Sequence, residues 1–478
     1  MSLAPTAAVE YLEAALPFAS NHDPGMALSL DDHVAQLAHH YARSGNPRKA
    51  VHYCLRAVQQ CAFRGARAEA LAQFETGLEQ LQKLPDDDQR AELELDLRNA
   101  AFEALFAIEG AASLEMEQSY MRAVELCRRP RINSEKRWGA LTGFYQVRIV
   151  RGDVRKACKI APEMIAVAEE SGNALLIADA IGSLGFARIL SGDFELAAPD
   201  QDRAMALLDS VAKLPQAKSW MLLYDQVTTG IITAWDQWFL GYPDRALDQV
   251  SIATEIARES GFKTIVKVGH NFAATFFEFR RDFEQMRELA EAALKLSTES
   301  RDYDPHSKIY LGWADAMAGD LESGVARIRD HTSKALAAGY EIFCDHYLAL
   351  IATALGRMGR FDEGLRTIDE SVRLIERTGQ RYYEAEVHRL NGELILGQDA
   401  SNAAQAEQSF RTAIDISRKQ RAKSWELRAT TSLARLLDKQ GKRDEARTML
   451  AEIYNWFTEG FDTADLKDAK ALLEELGT

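Results

Sequence analysis

Apolar residues recur at helical spacing along most of this chain, and glycines cut the recurrence into equal lengths. In MGRFDEGLRTIDESVRLIERTG, Leu365, Ile368, Val372 and Ile375 follow at steps of three, four and three. Those steps draw one apolar stripe along an amphipathic helix. Gly359 and Gly379 bracket it, and Gly152/Gly172, Gly241/Gly261 and Gly319/Gly339 repeat the same separation of 20 residues. The first glycine of each pair opens a related string (RGDVRKAC, LGYPDRAL, AGDLESGV, MGRFDEGL) and the second closes one (EESG, RESG, AAG, RTG). A glycine placed after an apolar stripe supplies the left-handed backbone that ends a helix. Asp153, Asp193 and Asp320, just after a hinge glycine, fit helix N-caps or first-turn acids. Sustained two-residue alternation, the strand signal, is nearly absent.

The pattern predicts 22–24 helices in antiparallel pairs, with a period of 39–42 residues where the repeats are tandem. Self-similarity at such a period is the mark of a solenoid. That also explains how 478 residues form one architecture, since each repeat contacts its neighbours and no single large core is needed. Hinges fall near Gly152, Gly192, Gly241, Arg281, Gly319, Gly359, Ser401 and Gly441, with Arg281 standing where a glycine is expected. The longer step from Gly192 to Gly241 implies an insertion near Ser210–Ser219, where Pro215 marks a loop. Pro162 and Pro199 fall inside helices and predict kinks. The expected organisation is an irregular N-terminal helical segment and cap over 1–134, regular repeats over 135–457, and a capping helix over 458–478. Within the first segment, 5–30 reads as a frayed cap.

LGWADAMAGDLESG and SLGFARILSGDFELA, with Gly312 and Gly185 seven residues before the hinge, resemble the tetratricopeptide repeat (TPR). The resemblance implies an all-α, right-handed superhelical solenoid of antiparallel helix pairs, here with longer helices than the usual 34-residue repeat. LAHHYARSGNPRKAVHYCLRA (37–57), ETGLEQLQKLPDD (75–87), QRAKSWELRATTSLARL (420–436) and NWFTEGFDTADLKDAKALLEEL (455–476) further resemble the C-terminal repeat region of large bacterial signalling proteins. In those, a nucleotidyl-cyclase or regulatory domain and a P-loop ATPase precede the repeats. This chain has neither a cyclase domain nor a Gly-x-x-x-x-Gly-Lys-Ser/Thr phosphate loop, so those activities do not carry over.

Composition narrows the chemistry. Hydrophobic residues make up 47% and charged residues 27%, an ordinary globular balance. A net charge of −15 argues against nucleic acid as the partner, since phosphate backbones need a basic surface. Cys54, Cys61, Cys127, Cys158 and Cys344 are scattered without a Cys-x-x-Cys pair, as in a cytoplasmic protein with reduced thiols. No apolar run reads as a membrane span and no signal peptide is expected. His33, His39 and His40 are too widely spaced for one ion: His33 and His40 lie about 10 Å apart along a helix. Neither a metal nor a cofactor is expected. Asp86–Asp88 and Glu115/Glu117 read as solvated acids, and no nucleophile motif is present. The expectation is a protein that is not an enzyme.

The aromatic run Trp235, Trp238, Phe239 and Tyr242 lies on one helix face. It reads either as core or as a binding surface. In the TPR family the first helix of each pair lines a concave groove at thirteen, ten, six, three and two residues before the hinge. From Gly192 that count lands on Phe186, Ile189 and Leu190, and from Gly241 on Thr228, Ile231, Trp235, Trp238 and Phe239. From position 281 it reaches Val268, Asn271, Glu278 and Phe279, and from Gly319 His306, Ile309, Trp313, Ala316 and Met317. From Gly441 it gives Arg428, Thr431, Arg435, Asp438 and Lys439. The resemblance thus implies an apolar, aromatic groove in the middle and a charged one at the end. The expected partner is a protein or a peptide held there, in the sensor arm of a bacterial signalling protein. A small-ligand sensor and a self-associating spacer, with a possible homodimer, are the alternatives.

Overall fold

A computed structural model of the chain describes residues 34–477 apart from 65, 109, 111, 130, 215–218 and 301–303. The expected cap over 5–30, His33 and the Pro215 loop lie outside the described residues. Among the described residues there are 23 α-helices, one short 3-10 turn and no strand. The chain forms two compact units. One takes it up to Val147 together with Ala166–Ser171, and the other takes Arg148–Ile165 and everything from Gly172 on.

The first unit holds α1 (Val34–Arg43), α2 (Pro47–Arg64), α3 (Arg67–Leu81), α4 (Asp88–Ala100), α5 (Phe102–Ile108), α6 (Leu114–Leu126) and most of α7 (Ser134–Val150). Val51, Val58, Phe74, Leu95, Tyr120 and Val147 belong to one buried cluster. Gly143 makes room for the Tyr120 ring, which a side chain there would overlap. Buried Glu94 on α4 accepts from Arg98 at 2.9 Å and from Arg122 on α6 at 3.1 Å.

In the second unit, the end of α7 and the start of α8 (Val154–Ser171) are followed by seven hairpins. These are α9 (Ala174–Ser191) with α10 (Phe194–Ala212), α11 (Trp220–Phe239) with α12 (Pro243–Ser260), α13 (Lys263–Phe279) with α14 (Phe283–Ser300), and α15 (Pro305–Met317) with α16 (Leu321–Ala337). Then come α17 (Cys344–Arg357) with α18 (Phe361–Thr378), α19 (Glu384–Gln398) with α20 (Ala403–Gln420), and α21 (Lys423–Lys439) with α22 (Arg443–Tyr454), closed by α23 (Ala464–Gly477). From α9 onward, the first helix of each pair also packs on the first helix of the next. The odd-numbered helices therefore form an inner layer and the even-numbered ones an outer layer, the solenoid of helix pairs that the repeat predicts.

Amphipathicity follows this layering. α18 in the outer layer buries Ile368, Leu374 and Ile375 and exposes its charged face. α9 in the inner layer is apolar on nearly all sides. By length and composition it could cross a membrane (mean hydropathy 1.6), contrary to the expectation that no such run exists. Its apolar residues are buried among neighbouring helices instead, as a helix covered on several faces requires. Pro162 and Pro199 do lie inside α8 and α10.

The hinge and closing glycines take positive φ, from 66° at Gly172 to 112° at Gly319. Arg281 adopts φ 63° where the repeat calls for glycine, and Arg421 takes φ 60° at the end of α20. A side chain in that conformation costs about 1–2 kcal/mol, so each arginine needs an explanation. Arg281 has one: its guanidinium donates to Asp465 (3.1 Å) and Asp468 (2.8 Å), 184 and 187 residues ahead.

That contact belongs to a series. The carbonyl of Val150 at the end of α7 accepts from the amides of Glu341 (3.0 Å) and Ile342 (3.1 Å), just before α17. At the end of α9, Leu190 O accepts from the amides of Arg381 (2.7 Å) and Tyr382 (3.3 Å), just before α19. Trp238 O at the end of α11 accepts from Ser424 Oγ in the first turn of α21. At the end of α13, Phe279 O accepts from Arg428 Nη2 at 2.8 Å, and Arg281 reaches α23. Glu341, Arg381, Ser424 and Asp465 each lie on or just before the inner helix ten places further on, while Arg428 sits on α21, eight places after α13. The solenoid therefore completes a superhelical turn every five hairpins, and its second turn docks on its first. Helix ends leave up to four carbonyls without intrahelical partners, and here the next turn satisfies some of them.

The two arginines in left-handed backbone predict opposite mutational signs. Arg421 makes only an exposed 3.8 Å approach to Glu195. Arg421→Gly is expected to stabilise the protein by about 0.5–1 kcal/mol through relief of backbone strain. Arg281→Gly is expected to lose about 1 kcal/mol or more, since relief there does not offset the lost bonds to α23. Urea unfolding followed by circular dichroism reads both.

Candidate functional site

Docking of the two turns decides what happens to the inner face. Trp235, Trp238 and Phe239 on α11 and Phe279 on α13 meet Phe343, Tyr382, Tyr383 and Trp425 from the second turn. Trp238 stacks on Phe279 with ring centres 5.4 Å apart and meets Trp425 edge-on at 4.9 Å. Trp235 lies 5.6 Å from Phe279, 5.9 Å from Phe343 and 6.5 Å from Phe186. Two of the three buried indoles in this cluster donate to backbone carbonyls: Trp235 Nε1 to Phe272 O (3.1 Å) and Trp425 Nε1 to Tyr382 O (2.9 Å). Trp235 and Phe239 are 0% exposed and Trp238 is 2% exposed. The expectation of an exposed aromatic groove is therefore corrected for Phe186, Trp235, Trp238, Phe239 and Phe279. The protein's own second turn fills that groove, and these rings form a core.

Asn271 and His306 go into a polar seam beside this core. Asn271 lies 3.4 Å from the Asp304 carboxylate and accepts from Ser307 Oγ at 2.7 Å. His306 is half-buried, bonded to Thr275 (3.2 Å) and to the Tyr347 hydroxyl. Burial drives its pKa down to about 4, against the opposing pull of Asp304, so the ring is neutral. On α17, fully buried Asp345 has its carboxyl pushed up to about 7, chiefly by burial. Among the described residues no group of three or more metal-binding side chains gathers.

What stays open is the inner face of the second turn. A cavity of about 470 Å³ lies between the end of α13 and helices α15, α17, α19, α21 and α23. Trp313, Phe283, Met317, Leu350 and Leu390 supply its apolar lining, with Phe283 edge-on to Trp313 at 6.0 Å. Five arginines (Arg281, Arg357, Arg389, Arg428, Arg435) and four acids (Glu278, Glu386, Asp465, Asp468) line the rest.

Most of these charges are spoken for. Arg389 grips Glu386 with two bonds of 2.7 and 2.8 Å. Arg428 bonds Asp465 from Nε at 3.1 Å and lies over Trp425 (4.8 Å) and Trp238 (5.6 Å). Burial pulls the Arg428 pKa down, but Asp465 and Glu386 outweigh it and the net shift is upward. Asp465 is the converse: burial raises its pKa, yet Arg428 and Arg281 hold it below the ordinary value. Glu278 faces His346 at 3.0 Å, without hydrogen-bond alignment, and Tyr383 Oη at 3.4 Å. Arg357 donates to a thioether, Met317 Sδ, at 2.9 Å. Among the described residues no carboxylate pairs with Arg357 or Arg435, and both are exposed. Trp313 Nε1 is buried with no acceptor.

Of the ten predicted groove positions, Trp313, Arg428 and Arg435 come together in this cavity, alongside Thr431. Arg357 and Thr353 were missed, although the same count back from Gly359 lands on both. Arg389 lies off the counted positions and carried no sequence signal.

No family model matches the chain. An uncharacterized protein of Rhizobium meliloti is 24% identical over 436 residues, which cover 87% of this chain. This chain spans 40% of that relative's length. Among solved structures, a Rap protein complexed with competence and sporulation factor is 9% identical (89% of this chain, 99% of that one, TM-score 0.42). Yeast Tom70 is 15% identical (99% and 92%, TM-score 0.35). A STAND signal-transduction ATPase with a TPR sensor, from Pyrococcus horikoshii, is 12% identical (84% and 66%, TM-score 0.38). The architecture described above rests on the helices themselves.

Two measurements separate core from cavity. Trp238→Ala is expected to cost about 3–5 kcal/mol of stability, whereas Arg435→Gln is expected to stay within about 0.5 kcal/mol of wild type. The second follows Asp345, whose folded pKa of about 7 exceeds its ordinary 3.8. Its contribution is fully present below pH 3.8 and lost as pH rises through 7. Asp345→Asn should therefore gain on the order of 2 kcal/mol relative to wild type between pH 5 and pH 8. A pH-independent difference would refute the buried-acid account.

Proposed function

We propose that this chain is a non-catalytic helical-repeat scaffold that holds a protein or peptide partner in the cavity of its second superhelical turn. The observation that carries the reading is the cavity's lining: an apolar wall around Trp313 beside two guanidinium groups that no carboxylate occupies. A concave site with apolar walls and a few convergent polar groups is the usual form of a binding pocket. Tryptophan and arginine are the side chains that most often dominate binding energy. In the wider reading the chain is the sensor or regulatory arm of a bacterial signalling protein. The resemblance of 37–57 and 455–476 to such repeat regions supports this.

A cavity of about 470 Å³ also has the volume of a small-molecule site, which makes a metabolite sensor the second reading. A screen of metabolites by thermal shift separates the two, because a ligand that binds only the folded state raises the melting temperature.

The test is a photo-crosslinker at Leu390, used in lysate of the source organism with three backgrounds. Wild type and Arg373→Gln on the outer helix α18 are expected to capture the same protein. Thr353→Trp, which fills the cavity, is expected to lose it while keeping its helical content. Equal capture by the filled variant would contradict the site.

A further inference from the structure

The cavity has more donors than acceptors, and that imbalance specifies a ligand. Arg389 is committed to Glu386, while Arg428 and Arg281 share Asp465, and Asp468 also serves Arg281. Arg357 and Arg435 are left without a carboxylate, Arg357 touching Met317 Sδ at 2.9 Å, and the buried Trp313 Nε1 is left without an acceptor. On the other side of the count, Glu278 Oε2 is a buried acceptor that also lacks a hydrogen-bond partner. The hydroxyls on the wall add none, since Thr353 and Thr431 bond Ala349 O (2.9 Å) and Leu427 O (2.8 Å) of their own helices. A buried donor without an acceptor is a standing cost, and Trp313 is only 4% exposed. The complement is an acceptor-rich group. This positive surplus sits in a chain of net charge −15, so long-range repulsion of anions by the rest of the protein is overcome locally or not at all.

We propose that the cavity binds an anionic group, a carboxylate or a phosphate, held by Arg357 and Arg435 next to an apolar moiety packed on Trp313. This deepens the partner-binding reading and rests on it. The planar guanidinium fork favours bidentate contact with either anion. An anion entering here also meets Arg428 and Arg281, whose present partner Asp465 belongs to the closing helix α23.

The experiment uses the full chain and three probes of similar ring size: 2-naphthoate, 1-naphthyl phosphate and neutral 2-naphthamide, titrated calorimetrically. One anionic probe or both should bind at a single site at least tenfold more tightly than 2-naphthamide. Arg357→Gln/Arg435→Gln should weaken that binding at least tenfold, and the preferred anion identifies the source as carboxylate or phosphate. Both arginines are exposed and neither pairs with a carboxylate, so the double variant should retain the wild-type melting temperature within about 2 °C. Should the amide bind as tightly as the anions, or the double variant bind as tightly as wild type, the proposal falls. Binding of no probe overturns it equally. Partner capture lost in Thr353→Trp but kept in the double arginine variant would leave the cavity reading standing and remove only the anion.

Discussion

The second unit depends on one repeated contact: the C-terminal end of an inner helix accepts hydrogen bonds from the start of the inner helix ten places later. Val150, Leu190 and Trp238 make the same connection in turn. Each joins the negative end of one helix dipole to amides or donors at the positive end of another. The contact is polar and directional, so it sets register, while the aromatic rings beneath it supply the area. Turns that did not dock would expose Trp235, Trp238, Phe279, Tyr382 and Trp425 together, an apolar surface too large to leave in water. The closing segment finishes the design. Glu459 accepts from the amides of Asp244 (3.0 Å) and Arg245 (3.1 Å) at the start of α12, and Trp456 packs on Gly241.

This closure divides the inner face by chemistry. Where the first and second turns overlap, large rings oppose large rings, and Trp235, Trp238, Phe239, Phe279 and Trp425 are buried. Beyond the overlap, α15, α17, α19 and α21 face one another across arginines and acids, and a cavity survives because charged side chains do not collapse as rings do. Ion pairs of Arg281, Arg389 and Arg428 hold its rim, and among the described residues neither Arg357 nor Arg435 has a carboxylate partner. The same fold thus yields a solid core and a binding site from equivalent positions of one repeat.

Much of this was legible in the residues. The glycine spacing and the apolar stripes located the hairpins, and Asp282 with Phe283 kept the register where Arg281 replaces glycine. Counting back from Gly319 and Gly441 placed Trp313 and Arg435 on the inner face, where they are. What the count could not say is whether that face is open. A repeat specifies which residues point inward, but the radius of the superhelix depends on how inward residues from different turns fit. Trp238 and Trp425 lie 187 positions apart and appear in the sequence as unrelated. A signal was nonetheless present, since bulky aromatics occupy inner helices ten places apart. Buried acids such as Asp345 were illegible for the same reason, because nothing local marks a carboxylate that tertiary packing will cover.

Amide hydrogen exchange tests the docked turns most directly. Glu341, Ile342 and Arg381 precede their helices, where an amide has no intrahelical acceptor, and their bonds run to the carbonyls of Val150 and Leu190. If the turns dock as described, these amides exchange as slowly as the interior of α17 and α19, because opening them requires separating the turns. Exchange at the rate of free helix-start amides, with the interiors of α17 and α19 still protected, would contradict the closed superhelix and with it the cavity that depends on it.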